Sequence, residues 1–200
     1  MNTDQQEVPE RVGMDADGAR GAHAEAAHAD ERDRPQGRIV IVDYDPVWAG
    51  RYLLVAERIR SALGAGALSL EHVGSTAVPG LAAKPIVDIN LVVADSSREE
   101  LYVPLLETVG FHLVVREPGW FEHRMLRSNA PAVNLHVFSS GCPEVDRMRA
   151  FRDRLRGDAR DRQLYEHTKR RLAEREWAHV QDYADAKRTV IDEIMSRPSG

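Results

Sequence analysis

Large apolar side chains are almost absent from residues 1–37 and arrive in periodic blocks from Arg38 onward. The run Ile39-Val40-Ile41-Val42 is β-branched and predicts a short strand. Asp45-Pro46 then offers a cap and a first-turn proline. Trp48, Tyr52, Val55 and Ile59 follow at helical spacing as far as Gly64, so a helix is expected there. Residues 67–73 predict a second strand, stopped by Gly74-Ser75-Thr76, and two prolines and a glycine make 77–85 a loop. Residues 86–93 are apolar around Asp88 and Asn90, whose spacing of two puts both on one face of a central strand.

A helix is expected over 99–109, closed by Gly110, followed by strands at 111–115, 120–126 and 133–138, the middle one markedly polar. After Gly141 the apolar stripes turn helical: Met148, Phe151 and Leu155, then Leu164, Thr168 and Leu172, then Val190, Ile191 and Ile194. They predict helices near 144–156, 159–176 and 179–195. No internal repeat is present.

This organisation implies a disordered N-terminal extension over 1–37, one folded domain over 38–196 and a short tail at 197–200. The extension holds nine acids and four arginines, a net charge of −5 that accounts for the whole chain's −5 and leaves 23 acids against 23 bases in residues 38–200. A segment so poor in apolar side chains cannot bury enough surface to offset the entropy of ordering it. His23 and His28 within it are five apart and are read as solvated rather than as metal ligands. A folded part with balanced charge gives no support to polynucleotide capture, and no nucleic acid partner is expected. No uninterrupted apolar run of membrane length occurs. With one cysteine, Cys142, and no secretory signal pattern, a cytoplasmic location is the economical expectation. Cys142 has no base implied by spacing, so a nucleophile role is not expected of it.

The chemistry concentrates in residues 72–90. A strand that ends in Gly74-Ser75-Thr76 lets backbone and hydroxyls approach phosphate oxygens, and the returning strand presents Asp88 and Asn90. A carboxylate among Ile, Val and Leu is costly unless a cation or hydrogen bonds compensate it. Phosphate at one end and cation-binding oxygens at the other is a layout suited to moving a nucleotidyl group.

The blocks Val-Asp-Tyr-Asp-Pro at 42–46, His-Val-Gly-Ser-Thr-Ala-Val-Pro-Gly-Leu at 72–81, Lys-Pro-Ile-Val-Asp-Ile at 84–89, Leu-His-Val at 135–137 and Phe-Arg-Asp-Arg-Leu-Arg at 151–156 resemble the GrpB family over about residues 38–195. The resemblance implies an α/β (α+β) domain of nucleotidyltransferase-like type, a mixed β-sheet flanked by helices with a C-terminal helical segment. Gly74 and Ser75 match that superfamily's Gly-Ser element, and Asp88 matches its first carboxylate. Asn90 stands where a second carboxylate is usual, a departure that weakens the expectation of catalysis.

Asp88, Asn90 and His136 are the candidate catalytic residues, and with Glu122 they are the candidate ligands of a divalent cation, magnesium or manganese, with zinc as the choice imidazole would favour. His72, Gly74, Ser75, Thr76, Lys84, Arg152, Tyr165 and Lys169 are the candidate substrate-binding residues, the last two resembling a Tyr-x-x-x-Lys pair on one helix face. The bland alternatives are a structural acid at Asp88, a strand-bridging amide at Asn90, a half-buried histidine at His72 and solvated side chains at Lys84 and Arg152. The expected function is transfer of a nucleotidyl group from a nucleoside triphosphate to a small-molecule acceptor. The alternative is a non-catalytic nucleotide or small-ligand module with a degenerate metal site. The family's domain also occurs fused to dephospho-coenzyme A kinase, which suits a coenzyme A-related ligand.

Overall fold

Strand alternation decides how this molecule is layered. In the computed structural model, which describes residues 27–28, 39–177 and 180–198, the sheet is built from β1 (Ala27–His28), β2 (Ser69–Val73), β3 (Val87–Val93), β4 (His112–Glu117), β5 (His123–Asn129) and β6 (Ala132–Ser139). Their spatial order is β1-β4-β5-β6-β3-β2. β3 and β6 run parallel and the other pairs are antiparallel, so the sheet is mixed. β1 adds two residues at the edge, opposite Val115 and Arg116. His23 and most of the expected N-terminal extension lie outside the described residues.

On one sheet face Val87, Ile89, Leu91, Val133, Leu135 and Val137 bury against Trp48, Val55, Ala56 and Ile59 of helix α1 (Val47–Leu63). On the other face, the positions in between are Asp88, Asn90, Asn134 and His136. α1 starts where Asp45 Oδ1 accepts the Val47 N–H at 2.9 Å, and it stops at Gly64, whose φ of +52° suits glycine. Helix α2 (Val103–Glu107) is short. The helices α3 (Pro143–Gly157), α4 (Ala159–Ala173), α5 (Val180–Ala186) and α6 (Arg188–Ser196) gather over the 75–83 loop on the polar side of the sheet. Leu155, Tyr165, Val190 and Ile194 pack there against Val78 and Leu81. Asp158 caps α4 by accepting the Arg160 and Asp161 N–H groups.

Four expectations need correction. The 39–42 run is not a sheet strand: only Val42 pairs, with Ala83, while Ile39 and Ile41 pack on Leu172, Tyr183 and Trp177. The 99–109 helix divides into a 3-10 turn over Glu99–Leu101 and α2, because Pro104 has no N–H and its ring excludes a continuous turn before it. The last helix divides at Lys187, whose N–H bonds back to Ala184 in a tight turn. The polar strand begins at His123 rather than Trp120. Phe121 and Glu122 have φ of +54° and +52°, so they turn the chain instead of extending it. Among the described residues no helix is long and apolar enough to cross a membrane.

Candidate functional site

β2 ends at Val73 and the chain turns sharply through Gly74 into a 3-10 turn, Ser75–Ala77. Gly74 has φ +69° and ψ −171°, and a Cβ placed there would lie 2.5 Å from Asp88 Oδ2. Glycine is therefore what lets the turn lie directly on the Asp88 carboxylate. Together the turn and the strand face line a cavity of about 290 Å³, whose walls include Ser75, Lys84, Asp88, Asn134, His136, Lys169 and Lys187. Among the residues lining it, Asp88 is the single carboxylate.

Asp88 Oδ1 accepts the Asn134 amide at 2.9 Å and lies 3.8 Å from His136 Nε2. Burial works to raise its carboxyl, but His136, Asn134 and Lys187 outweigh this and hold it below the usual aspartate range. On the opposite wall, Lys169 is 2% exposed and donates to Ser75 Oγ at 2.9 Å and to the Ala82 carbonyl. Its ammonium lies over the Tyr165 ring, 4.8 Å from the centroid. Burial, reinforced by the charge of Lys187, pulls the Lys169 ammonium down to about 7. Burial also lowers Lys187, against the pull of Asp88. Lys169 and Lys187, with Lys84 also in the wall, thus face one carboxylate in a confined, poorly solvated space.

The sequence-predicted residues divide. Gly74, Ser75, Thr76, Lys84, Asp88, His136 and Lys169 all line the cavity. Tyr165 is buried against Phe151 beneath Lys169, within hydrogen-bond reach of Ser75, and burial pushes its phenol up to about 12. His72 stands on the other sheet face, stacked on Tyr52 at 5.0 Å, with Nε2 3.0 Å from Thr76 Oγ1. It supports the turn from behind. Arg152 is engaged with Glu71, Asp153 and the His72 carbonyl, so it fastens α3 to β2. Asn90 is 1% exposed, on the same sheet face as Asp88 and opposite His136 on β6, and neither amide atom has a hydrogen-bond partner.

Glu122 is not brought to Asp88. Its turn sits beyond the far end of β5, where its carboxylate pairs with Arg124 and its carbonyl accepts from Ser96. The place beside Asp88 on the neighbouring strand belongs to Asn134. The donor set therefore does not fit a resident pair of divalent cations: one carboxylate, one amide and an imidazole share the cavity with three lysines. Among the described residues no three His, Cys, Asp or Glu side chains group as a metal site.

Sequence reasoning missed Asn134 and Lys187. Asn134 was available from alternation, since it is two residues from His136 and shares its face. Lys187 was not, because no motif or spacing in the sequence links the C-terminal helices to Asp88.

Comparison with known proteins agrees with this architecture, a mixed sheet with helices in the nucleotidyltransferase-like arrangement. A family model described as "GrpB protein" matches residues 38–197. A UPF0157 protein of Halalkalibacterium halodurans is 55% identical over 159 residues, covering 80% of this chain and 82% of its own. The crystal structure of the conserved protein GrpB from Enterococcus faecalis superposes with a TM-score of 0.64 at 25% identity, covering 78% of this chain and all of that one. A dephospho-CoA kinase of Mycolicibacterium paratuberculosis is 28% identical over 173 residues, covering 74% of this chain and 42% of its own length.

Proposed function

The chain belongs to the GrpB family, and we propose that its cleft binds the phosphate chain of a nucleotide-class small molecule. The observation that carries this reading is the pair Lys169 and Lys187 facing a single carboxylate beside the Ser75 hydroxyl. Two ammonium groups whose charged forms are disfavoured by burial gain most from a polyanion, which restores the charge balance that desolvation upsets. Ser75 supplies a hydroxyl donor, and Gly74 lets phosphate oxygens approach the backbone. The similarity to a dephospho-CoA kinase is compatible with ligands of the coenzyme A class, which are themselves nucleotides.

Nucleotidyl transfer to a small acceptor is the second reading, favoured by Asp88 and His136 on the wall opposite the lysines. Lys169 and Lys187 would neutralise the phosphates. Asp88 and His136 would accept the proton of the attacking group. Catalysis would then rest on positioning and charge compensation. A divalent cation enters this reading only with the phosphates, since the donor set does not fit a resident pair.

Isothermal titration with ATP, dephospho-coenzyme A and tripolyphosphate, each with and without magnesium, tests the binding reading. Saturable binding is expected, weakened at least tenfold in Lys169→Met and in Ser75→Ala. Absence of saturable binding by all three probes would overturn it. Pyrophosphate release from ATP with pooled small acceptors, abolished in Asp88→Ala, is the outcome that supports transfer. Binding without release leaves the module alone.

A further inference from the structure

Behind His136 a row of polar contacts runs across the sheet face away from the cleft. Glu117 Oε2 is 2.7 Å from His123 Nδ1, and His123 Nε2 is 3.1 Å from His136 Nδ1. The two rings stack at 5.3 Å, and His123 is clamped between Trp120 and Phe138 at 5.0 and 4.8 Å. His123 is 3% exposed, so its hydrogen bonds are not exchanged for water.

The lengths at the two ends of the row argue for one arrangement of its protons. A contact of 2.7 Å between an imidazole nitrogen and a carboxylate oxygen needs a proton between them, and an ionised carboxylate can only accept. So His123 Nδ1–H donates to Glu117. The ring is shut away from water and its Nδ1 already carries a proton, so a neutral His123 leaves Nε2 as an acceptor. The 3.1 Å contact then takes its proton from His136 Nδ1. At the other end, 3.8 Å between His136 Nε2 and Asp88 Oδ1 is too long for a hydrogen bond.

We propose that Glu117 and His123 are positioning residues that fix an N–H on His136 Nδ1, so that His136 Nε2 and Asp88 Oδ1 together receive a hydroxyl or amine of a second ligand. This rests on the cleft being a phosphate-ligand site and adds the chemistry of its other occupant. The phosphate wall is cationic and the facing wall accepts protons. An anion is met on one side and a donor group on the other. Where that donor is a hydroxyl attacking a bound nucleoside triphosphate, its oxygen bonds to the α-phosphorus, the bond from the α-phosphorus to the bridging oxygen breaks, pyrophosphate leaves with that electron pair, and the hydroxyl proton passes to His136 Nε2. His136 can then release its Nδ1 proton to His123 Nε2 and His123 its Nδ1 proton to Glu117, so the row returns the charge toward the surface.

The test uses the full chain without ligand, with the imidazole nitrogens labelled and read by long-range ¹H–¹⁵N correlation at pH 8.5. The expected pattern is an imine-type Nε2 and pyrrole-type Nδ1 on His136, and an imine-type Nε2 and pyrrole-type Nδ1 on His123. In His123→Phe, which keeps the ring stack but removes the acceptor, His136 Nε2 should move to pyrrole type as its proton turns toward Asp88. If that variant does not fold by circular dichroism, Glu117→Ala carries the same expectation in weaker form, a partial shift. A pyrrole-type His136 Nε2 in the unaltered protein, or no change in either variant, overturns the proposal. Because no ligand is present, this result is separate from the nucleotide titration: loss of nucleotide binding with the tautomers as stated would refute only the phosphate reading.

Discussion

Replacing Gly74 by alanine perturbs the site through a single methyl group, and the structure supplies both parts of the effect. At φ +69° and ψ −171° the backbone is in a region that side chains avoid, a strain of about 1–3 kcal/mol for any other residue. The added Cβ would meet Asp88 Oδ2 at 2.5 Å, its Cβ at 3.1 Å and its Cγ at 3.2 Å. Relieving such contacts in a packed site costs roughly another 1–3 kcal/mol. Gly74→Ala should therefore lose about 2–6 kcal/mol, which for a chain of this size lowers Tm by roughly 4–24 °C. Urea denaturation followed by tryptophan fluorescence and circular dichroism measures it. The double variant Gly74→Ala/Asp88→Ala discriminates between the two parts. It removes the Oδ2 and Cγ contacts but neither the strain nor the Cβ contact, so a coupling of about 1–2 kcal/mol is expected. Strict additivity, or a Gly74→Ala protein as stable as the parent, would refute the close approach of turn and carboxylate.

The same geometry makes three further outcomes testable. Lys169 has a folded-state value of about 7 against 10.5, so the unfolded chain binds more protons between these values and ligand-free stability should rise from about pH 7 to about pH 10.5. Lys169→Met should flatten most of that slope in denaturation series across the window; an unchanged slope would contradict a desolvated ammonium. Burial lowers His72 from 6.5 to about 4, so stability should fall as pH drops through that window, and His72→Phe should reduce the proton uptake on unfolding by about one. Proton uptake identical to the parent's would place His72 in solvent. Arg152 links α3 to Glu71 and the His72 carbonyl, so Arg152→Leu should destabilise the fold by about 1–3 kcal/mol while leaving nucleotide affinity within about threefold. A large loss of affinity at unchanged stability would instead make Arg152 a ligand contact.

Much of this was legible in the residues. Period-2 alternation placed Asp88 and Asn90 on one face, and the Gly74-Ser75 turn was apparent because no other residue type serves that backbone. The α1 boundaries followed from Asp45 and Gly64. Illegible features were those decided by tertiary packing. Ile39 and Ile41 have strand propensity, yet they pack on Leu172 and Tyr183 rather than joining the sheet. Glu122 matched an acid expected on a strand, but two left-handed residues carry it into a turn at the far end. Arg152 lay in a family-like block, and only the helix packing shows that Glu71 occupies it. Lys187 reaches the cavity through the packing of the C-terminal helices, which no local signal in the sequence marks.

In the proposed complex, phosphate lies in the cleft between Ser75, Lys169 and Lys187. A crystal structure of the chain grown with saturating ATP tests it most directly. A phosphate oxygen is expected within hydrogen-bond distance of both Lys169 Nζ and Ser75 Oγ, with a second near Lys187. Nucleotide bound elsewhere, or a cleft without density for phosphate at saturation, would contradict it.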